Sequence, residues 1–560
     1  MSADASPPPA PARRAWLGPL LAALIAVLAG LPGVLAMPAL DRDESRFAQA
    51  TAQMLETGDY VQIRFLDEPR DKKPVGIHWL QAASVATFSS VEARDIWAYR
   101  LPSLLGAALA AAAAAWAAAI FWGGRAGLIA GAVLGASFLL STEAGIAKTD
   151  AMLCGAVTLS MAALARIYAQ WRADGSPSGP GQAKASRGVT VLFWSGLALA
   201  LIVKGPVGPM VVGLAGLALW GLDRRAGWAR RLRWGYGLVL VLAVTAPWAM
   251  AITVATDGAF WGAALGGDLA PKLTGGHESH GAPPGLHTLL SPALLFPATF
   301  LLPAAVAVAV AGWREPGVRF ALAWLVPTWL VFELLPTKLV HYPLPAYGAL
   351  ALLIAASTTR ATGRWPRALG ALLSVLTGVA FAAVVAYAWN EYGDPSDLPV
   401  VVFAAAAAGL TGLAGVVAVS RQRMGPWLPA TLALGMVAHG AVVGLVAPRL
   451  DPLWSSRAVD AALDRARLAP GEVAVTGYSE PSLVFALGTR TRLSTAQQAA
   501  DLVAAGRPAV VEAAERPAFL AALAARGITA TPIGEVRGLN YSRGDPVRLS
   551  LYRGRAPEAP

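Results

Sequence analysis

The chain predicts a polytopic α-helical membrane protein with a small α/β domain at its C-terminal end. Three observations lead there. Of 560 residues, 56% are apolar and 14% charged, and mean hydropathy is +0.53. A soluble domain carries about 25% charged residues, and one soluble core rarely exceeds roughly 250–300 residues. Lys and Arg gather in alternate loops, and from about residue 449 onward the apolar runs shorten and charges return. The composition excludes a disordered chain. Cys154 is the only cysteine, which excludes a disulfide framework and a Cys-based zinc site.

A spanning helix needs about 20 mostly apolar residues. By that criterion the sequence offers about thirteen spans, near 16–38, 98–121, 126–142, 149–168, 189–203, 206–222, 235–256, 287–311, 318–335, 342–358, 367–389, 398–420 and 427–447. Arg13 and Arg14 ahead of the first run resemble a signal peptide, with Val34-Leu35-Ala36 before a cleavage site. The run is long for an h-region, so it is read as a retained span.

Direction follows from Lys and Arg in short loops. With the N-terminus cytoplasmic, every cytoplasmic loop is basic: Arg125; Arg172, Lys184 and Arg187; Arg224 to Arg233; Arg314 and Arg319; Arg360, Arg364 and Arg367; Arg421 and Arg423. The opposite loop at 390–397 holds Glu391, Asp394 and Asp397 and no base. This placement accounts for much of the net charge of +11 without nucleic acid. The Gly-, Ser- and Pro-rich stretch 172–188 reads as a flexible cytoplasmic loop. Residues 1–448 form the membrane domain and 449–560 a periplasmic α/β domain. In the latter, Glu472–Thr476 and Pro508–Glu512 read as buried strands, and 454–467, 495–505 and 516–526 as helices.

With that topology the unusual polar residues share one side. The first periplasmic loop, 39–97, carries Asp41-Arg-Asp43-Glu44-Ser-Arg46-Phe47, then an amphipathic stretch from Phe47 to Leu55 suited to the bilayer surface. It continues with Arg70-Asp71-Lys72-Lys73-Pro74 and His78-Trp79. Other loops add Glu143, Lys148 and Asp150; Lys204; Asp268, Lys272, His277, Glu278 and His280; and Lys338, His341 and Tyr342. Singly, such charges are ordinary snorkelling groups. Together they suit an amphipathic anionic substrate: Lys and Arg stabilise charge developing on a phosphate leaving group, and a carboxylate beside an anomeric carbon can serve as base to an acceptor hydroxyl.

Asp43-Glu44-Ser-Arg46-Phe47, Met54-Leu55-Glu-Thr-Gly58-Asp59-Tyr60, Lys73-Pro74 and His78-Trp79-Leu80 resemble the first periplasmic loop of the aminoarabinose transferase (ArnT-like) family of the GT-C superfamily, which also holds the protein O-mannosyltransferases. Lys148-Thr149-Asp150, Leu201–Pro206, Gly276–Gly285 and Thr337–Pro345 resemble further blocks of its bacterial members. The resemblance runs over roughly 15–450 and is looser beyond. It implies a GT-C fold and a polyprenyl-phosphate-sugar donor. It also implies transfer with inversion on the periplasmic side of the bacterial inner membrane, and an acceptor such as lipid A or another glycan. Asp43 matches the family's catalytic loop aspartate and Asp150 a second acidic position of importance, and both are taken as catalytic. Lys73 matches the lysine that holds the donor phosphate. Arg46, Lys204, Lys338 and Tyr342 align with cavity positions, and Glu44 and His341 are taken with them as substrate-binding. A monomer embedded in membrane lipids is expected.

One departure concerns metal. The family commonly places Glu before the donor lysine, and this chain has Lys72 there, so a zinc site using that position is not expected. His277 and His280 are left as candidate ligands of a divalent metal, a weak pair without a nearby third ligand. No other cofactor is called for. The rival function is a transporter or flippase of lipid-linked sugars, but such proteins bind near the bilayer midplane and often show inverted repeats. No repeat is visible in this sequence.

Overall fold

The computed structural model describes residues 16–174, 186–271, 281–421, 425–468 and 471–554. Most of the 172–188 loop, and both His277 and His280, lie outside them.

Small side chains draw the first helices together. Leu17–Ala36 packs along Ile96–Ala136 through Ala22 and Ala26 against Ala111 and Ala115, all fully buried. The second helix is a hairpin. Gly123 takes φ 84, ψ 168, a conformation open mainly to glycine, and the chain folds back on itself. A Cβ on Gly127 would lie 2.6 Å from the Ala115 carbonyl oxygen. Such close approach is how membrane helices gain packing where no hydrophobic drive separates helix from lipid.

Among the described residues nine helices are long and apolar enough to cross a bilayer, or ten if the bent pair Leu286–Leu294 and Ala298–Ala311 counts as one. Thirteen is reached only by splitting the hairpin at Gly123 and adding Val207–Asp223 and Leu344–Thr358, which are shorter apolar helices. The sequence expectation counted apolar runs, and a run does not reveal whether its helix is long enough to cross.

The loop after the first helix forms the helices Asp43–Thr57 and Gly76–Phe88 around a two-residue hairpin, Arg64–Phe65 with Glu68–Pro69. The expected surface-lying amphipath is not what forms. Every residue from Phe47 to Met54 is buried, because the helix is covered by its partner helix and by Pro481–Leu487 from the C-terminal unit.

That unit is a five-stranded mixed sheet in the spatial order Arg492–Leu493, Ala474–Thr476, Ala509–Glu512, Asp545–Tyr552, Gly534–Asn540. The first three strands run parallel and the last two antiparallel. Helices Ser455–Arg465, Ala496–Ala504 and Arg516–Ala524 stand where the sequence places them. The closing hairpin, Gly534–Asn540 with Asp545–Tyr552, was not expected. Its first strand interleaves charged and apolar residues and looks like surface. The unit docks on the first loop: Gln49 Nε2 donates to Thr489 Oγ1 at 2.7 Å, and the Asp41 amide donates to the Tyr541 hydroxyl at 2.7 Å.

Candidate active site

Helix ends bring the cluster together. Asp43 opens its helix, where a carboxylate suits the positive end of the helix dipole. Asp150 opens Asp150–Asp174, and Lys204 closes Arg187–Lys204. Lys148, Lys338, His341 and Tyr342 lie on the short connections beside them. Close backbone contact fixes the spacing. A Cβ on Gly76 would sit 2.6 Å from the Ile202 carbonyl oxygen, so glycine there lets the segment after Lys73 press against the helix that ends in Lys204. Ser103 Oγ donates to the carbonyls of Ile146 at 2.6 Å and Lys148 at 3.1 Å, pinning the turn that carries Lys148 and Asp150.

Asp43 sits at the mouth, its side chain 48% exposed, with Arg70 Nη2 at 3.4 Å. Burial would raise its pKa, but the charges of Lys73, Arg70 and Lys148 outweigh it and hold the carboxyl at about 2. Lys73 answers in the opposite sense. Burial lowers its ammonium to about 8 although Asp43 favours the charged form. Lys73 also feels Lys204 and Asp150, so the two halves of the cluster share one electrostatic neighbourhood. The Phe47 ring holds both cations, Arg70 Cζ at 4.6 Å and Lys73 Nζ at 5.2 Å from its centroid.

Deeper in, Lys204 Nζ hydrogen-bonds Asp150 Oδ1. Lys148 Nζ lies 3.0 Å from Glu143 Oε2 and 3.9 Å from Asp150 Oδ2. His341 Nε2 is 3.6 Å from Asp150, and its Nδ1 is 3.3 Å from Lys148 Nζ. Burial keeps His341 neutral, with a pKa of about 3, despite Asp150. Tyr342 places its ring 5.7 Å from Lys204 Nζ. Lys338 is buried, and its ammonium is held by the Leu335 carbonyl rather than by an acid of the cluster. Arg46 lies one turn beyond Asp43, half-buried, without an ion pair to any described residue.

Glu44 is a correction. Expected as a substrate contact, it is 1% exposed and fully used by the protein. Arg100 Nε donates to Oε1 at 2.8 Å and Nη2 to Oε2 at 2.7 Å, while the amides of Ala147 and Leu40 donate at 2.7 and 2.8 Å. Arg100 was missed altogether. It also caps the carbonyls of Met37 at 2.6 Å and Pro38 at 2.8 Å. Its signal was a lone arginine at the start of an apolar run, since a charge there needs a buried partner. Among the described residues no group of three or more His, Cys, Asp or Glu is placed to hold a metal.

Residues 41–256, which carry Asp43, Lys73, Asp150 and Lys204, match the dolichyl-phosphate-mannose-protein mannosyltransferase family. The undecaprenyl phosphate-alpha-4-amino-4-deoxy-L-arabinose arabinosyl transferase of Pseudomonas paraeruginosa is 28% identical over 387 residues, 66% of each chain. Its counterpart in Pseudomonas aeruginosa PAO1 is 30% identical over 320 residues, 56% of this chain and 54% of that one. The chain thus aligns with just under two thirds of the first relative and about half of the second. That of Erwinia tasmaniensis is 28% identical over 76% of each. Crystal structures of ArnT from Cupriavidus metallidurans, in the apo state and bound to undecaprenyl phosphate, superpose with TM-scores of 0.74. They are 20% and 19% identical and cover 98% and 97% of this chain and 99% and 98% of theirs. In sequence the chain is similar to these arabinosyl transferases, and its fold is that of ArnT.

Proposed function

We propose that the chain transfers a sugar from a polyprenyl-phosphate donor to an acceptor in the cell envelope, lipid A or another glycan, with inversion at the anomeric carbon. The observation that carries this reading is the meeting of the Asp43 carboxylate with Lys73 and Arg70 at the mouth of a cluster made only of helix ends and loops. A transport site would lie near the bilayer midplane between structural repeats, and the sequence shows no repeat. The names of the relatives supply the donor class, an undecaprenyl phosphate sugar.

In this scheme the bond from the anomeric carbon to the donor phosphate breaks, and the phosphate leaves with the electron pair. Lys73, with Arg70 beside it, stabilises that charge. The acceptor oxygen attacks from the opposite face. Asp43 is ionised at neutral pH, so it orients the acceptor and offsets positive charge on the sugar ring. A hydroxyl acceptor passes its proton to Asp43, and a phosphate acceptor has none to give. Asp150, expected as a catalytic acid, is sealed by Lys204 and Lys148, and it positions those lysines rather than touching the sugar. Arg46, Lys204, Lys338, His341 and Tyr342 line the donor side. Residues 1–448 form the catalytic membrane domain and 449–560 a periplasmic unit, with the N-terminus cytoplasmic in the inner membrane and the chain acting as a monomer.

The test uses the purified chain in liposomes with an undecaprenyl-phosphate-linked sugar and lipid A, read by mass spectrometry. Release of undecaprenyl phosphate together with a sugar-modified acceptor is expected. Donor that crosses the bilayer intact, with no release, would make the protein a transporter.

A further inference from the structure

At the end of the bundle away from Asp43 lies a second polar cavity, of about 570 Å³. The helix that begins at Ile96 beside the first loop runs to Gly123, roughly 40 Å at 1.5 Å per residue, and the cavity opens at that far end. Four arginines from three helix junctions line it: Arg125 just past the Gly123 turn, Arg360 and Arg367 either side of the start of Arg364–Tyr392, and Arg421 at the end of Leu398–Ser420. No Asp or Glu does. Arg360 is paired to Glu315 outside the lining, and Arg421 lies 5.9 Å over the Trp427 ring. Arg125 and Arg367 have no acidic partner among the described residues, and the buried Nε of Arg367 has no acceptor among them. The deeper wall is apolar, with Ile129 and Leu301 among the lining.

Guanidinium groups match phosphate oxygens in a planar, bidentate manner. A basic pocket between membrane helices backed by apolar wall suits a phosphate that carries a hydrocarbon tail. We propose that this cavity binds the phosphodiester headgroup of an anionic phospholipid. Arg125 and Arg367 contact the phosphate, and the first acyl carbons rest on the apolar wall. Its position in the cytoplasmic leaflet rests on the orientation proposed above, whereas the binding itself does not.

The experiment is native mass spectrometry of the full chain in detergent, titrated with phosphatidylglycerol, phosphatidylethanolamine or soluble glycerol phosphate. The wild-type chain should retain phosphatidylglycerol about tenfold or more above phosphatidylethanolamine. The double variant Arg125→Gln/Arg367→Gln should lose that preference while melting like the wild type. Equal retention of the two lipids by the wild type, or an undiminished preference in a folded double variant, overturns the proposal. Competition by glycerol phosphate as strong as that by the lipid would show a free-phosphate site and overturn the lipid assignment. If the double variant does not fold, a photoactivatable phosphatidylglycerol on the wild type decides. Cross-links in the lining segments 122–129 or 358–367 or at Arg421 are expected, and labelling confined outside the lining contradicts the site. Failure of sugar transfer in the liposome assay leaves this result untouched.

Discussion

Asp43 and Glu44 are adjacent in sequence, chemically alike, and put to opposite uses. Asp43 is half exposed among cations it does not fully engage, with Arg70 at 3.4 Å. Glu44 is sealed, and both of its oxygens are spent on Arg100, Leu40 and Ala147. One residue of helical rotation separates a group left available to a ligand from a group that ties three elements together. Those elements are the loop helix, the helix starting at Ile96 and the turn carrying Lys148. Glu44 is therefore what holds Asp43 in place, and the two should fail differently when altered.

The largest effect is expected at the sealed pair. Arg100→Met leaves the Glu44 carboxylate buried and unpaired, which costs about 3–5 kcal/mol. Thermal unfolding in detergent checks this, and a loss within about 1 kcal/mol would mean that water reaches the pair. Removing both charges, as in Glu44→Gln/Arg100→Met, should be less harmful than the sum of the single variants.

The next effect belongs to the open side. Lys73→Met should weaken donor binding by about 1.5–3 kcal/mol, the usual worth of a hydrogen bond to a charged group, with little change in melting. Titration of undecaprenyl phosphate by calorimetry reads it. Unchanged affinity would remove Lys73 from the donor site.

A smaller effect is set by pH. In the free protein Lys73 loses its proton near pH 8, and a bound phosphate raises that value. Donor affinity should thus be flat below pH 7 and fall by up to about tenfold per unit above 8. Lys73→Arg should abolish the slope, because a guanidinium stays charged. A slope that survives in this variant assigns the titration to another group.

The difference between the two carboxylates also shows what the sequence can convey. Apolar runs and basic loops made the membrane architecture readable, because they obey one-dimensional rules of length and charge. The first-loop residues were readable as a group for the same reason. Glu44 was misread because its fate depends on Arg100, 56 positions on, inside an apolar helix. The loop helix was read as lying on lipid because half of its cover, Pro481–Leu487, comes from the far end of the chain. The strand Gly534–Asn540 escaped notice for a related reason. An alternating charged strand declares itself only once its neighbours are in place.

The most direct test is sugar transfer by Asp43→Asn in protein whose melting matches the wild type. Transfer should fall by about 100-fold or more while melting stays unchanged. Near-normal transfer by that folded variant would contradict the central role given to this carboxylate.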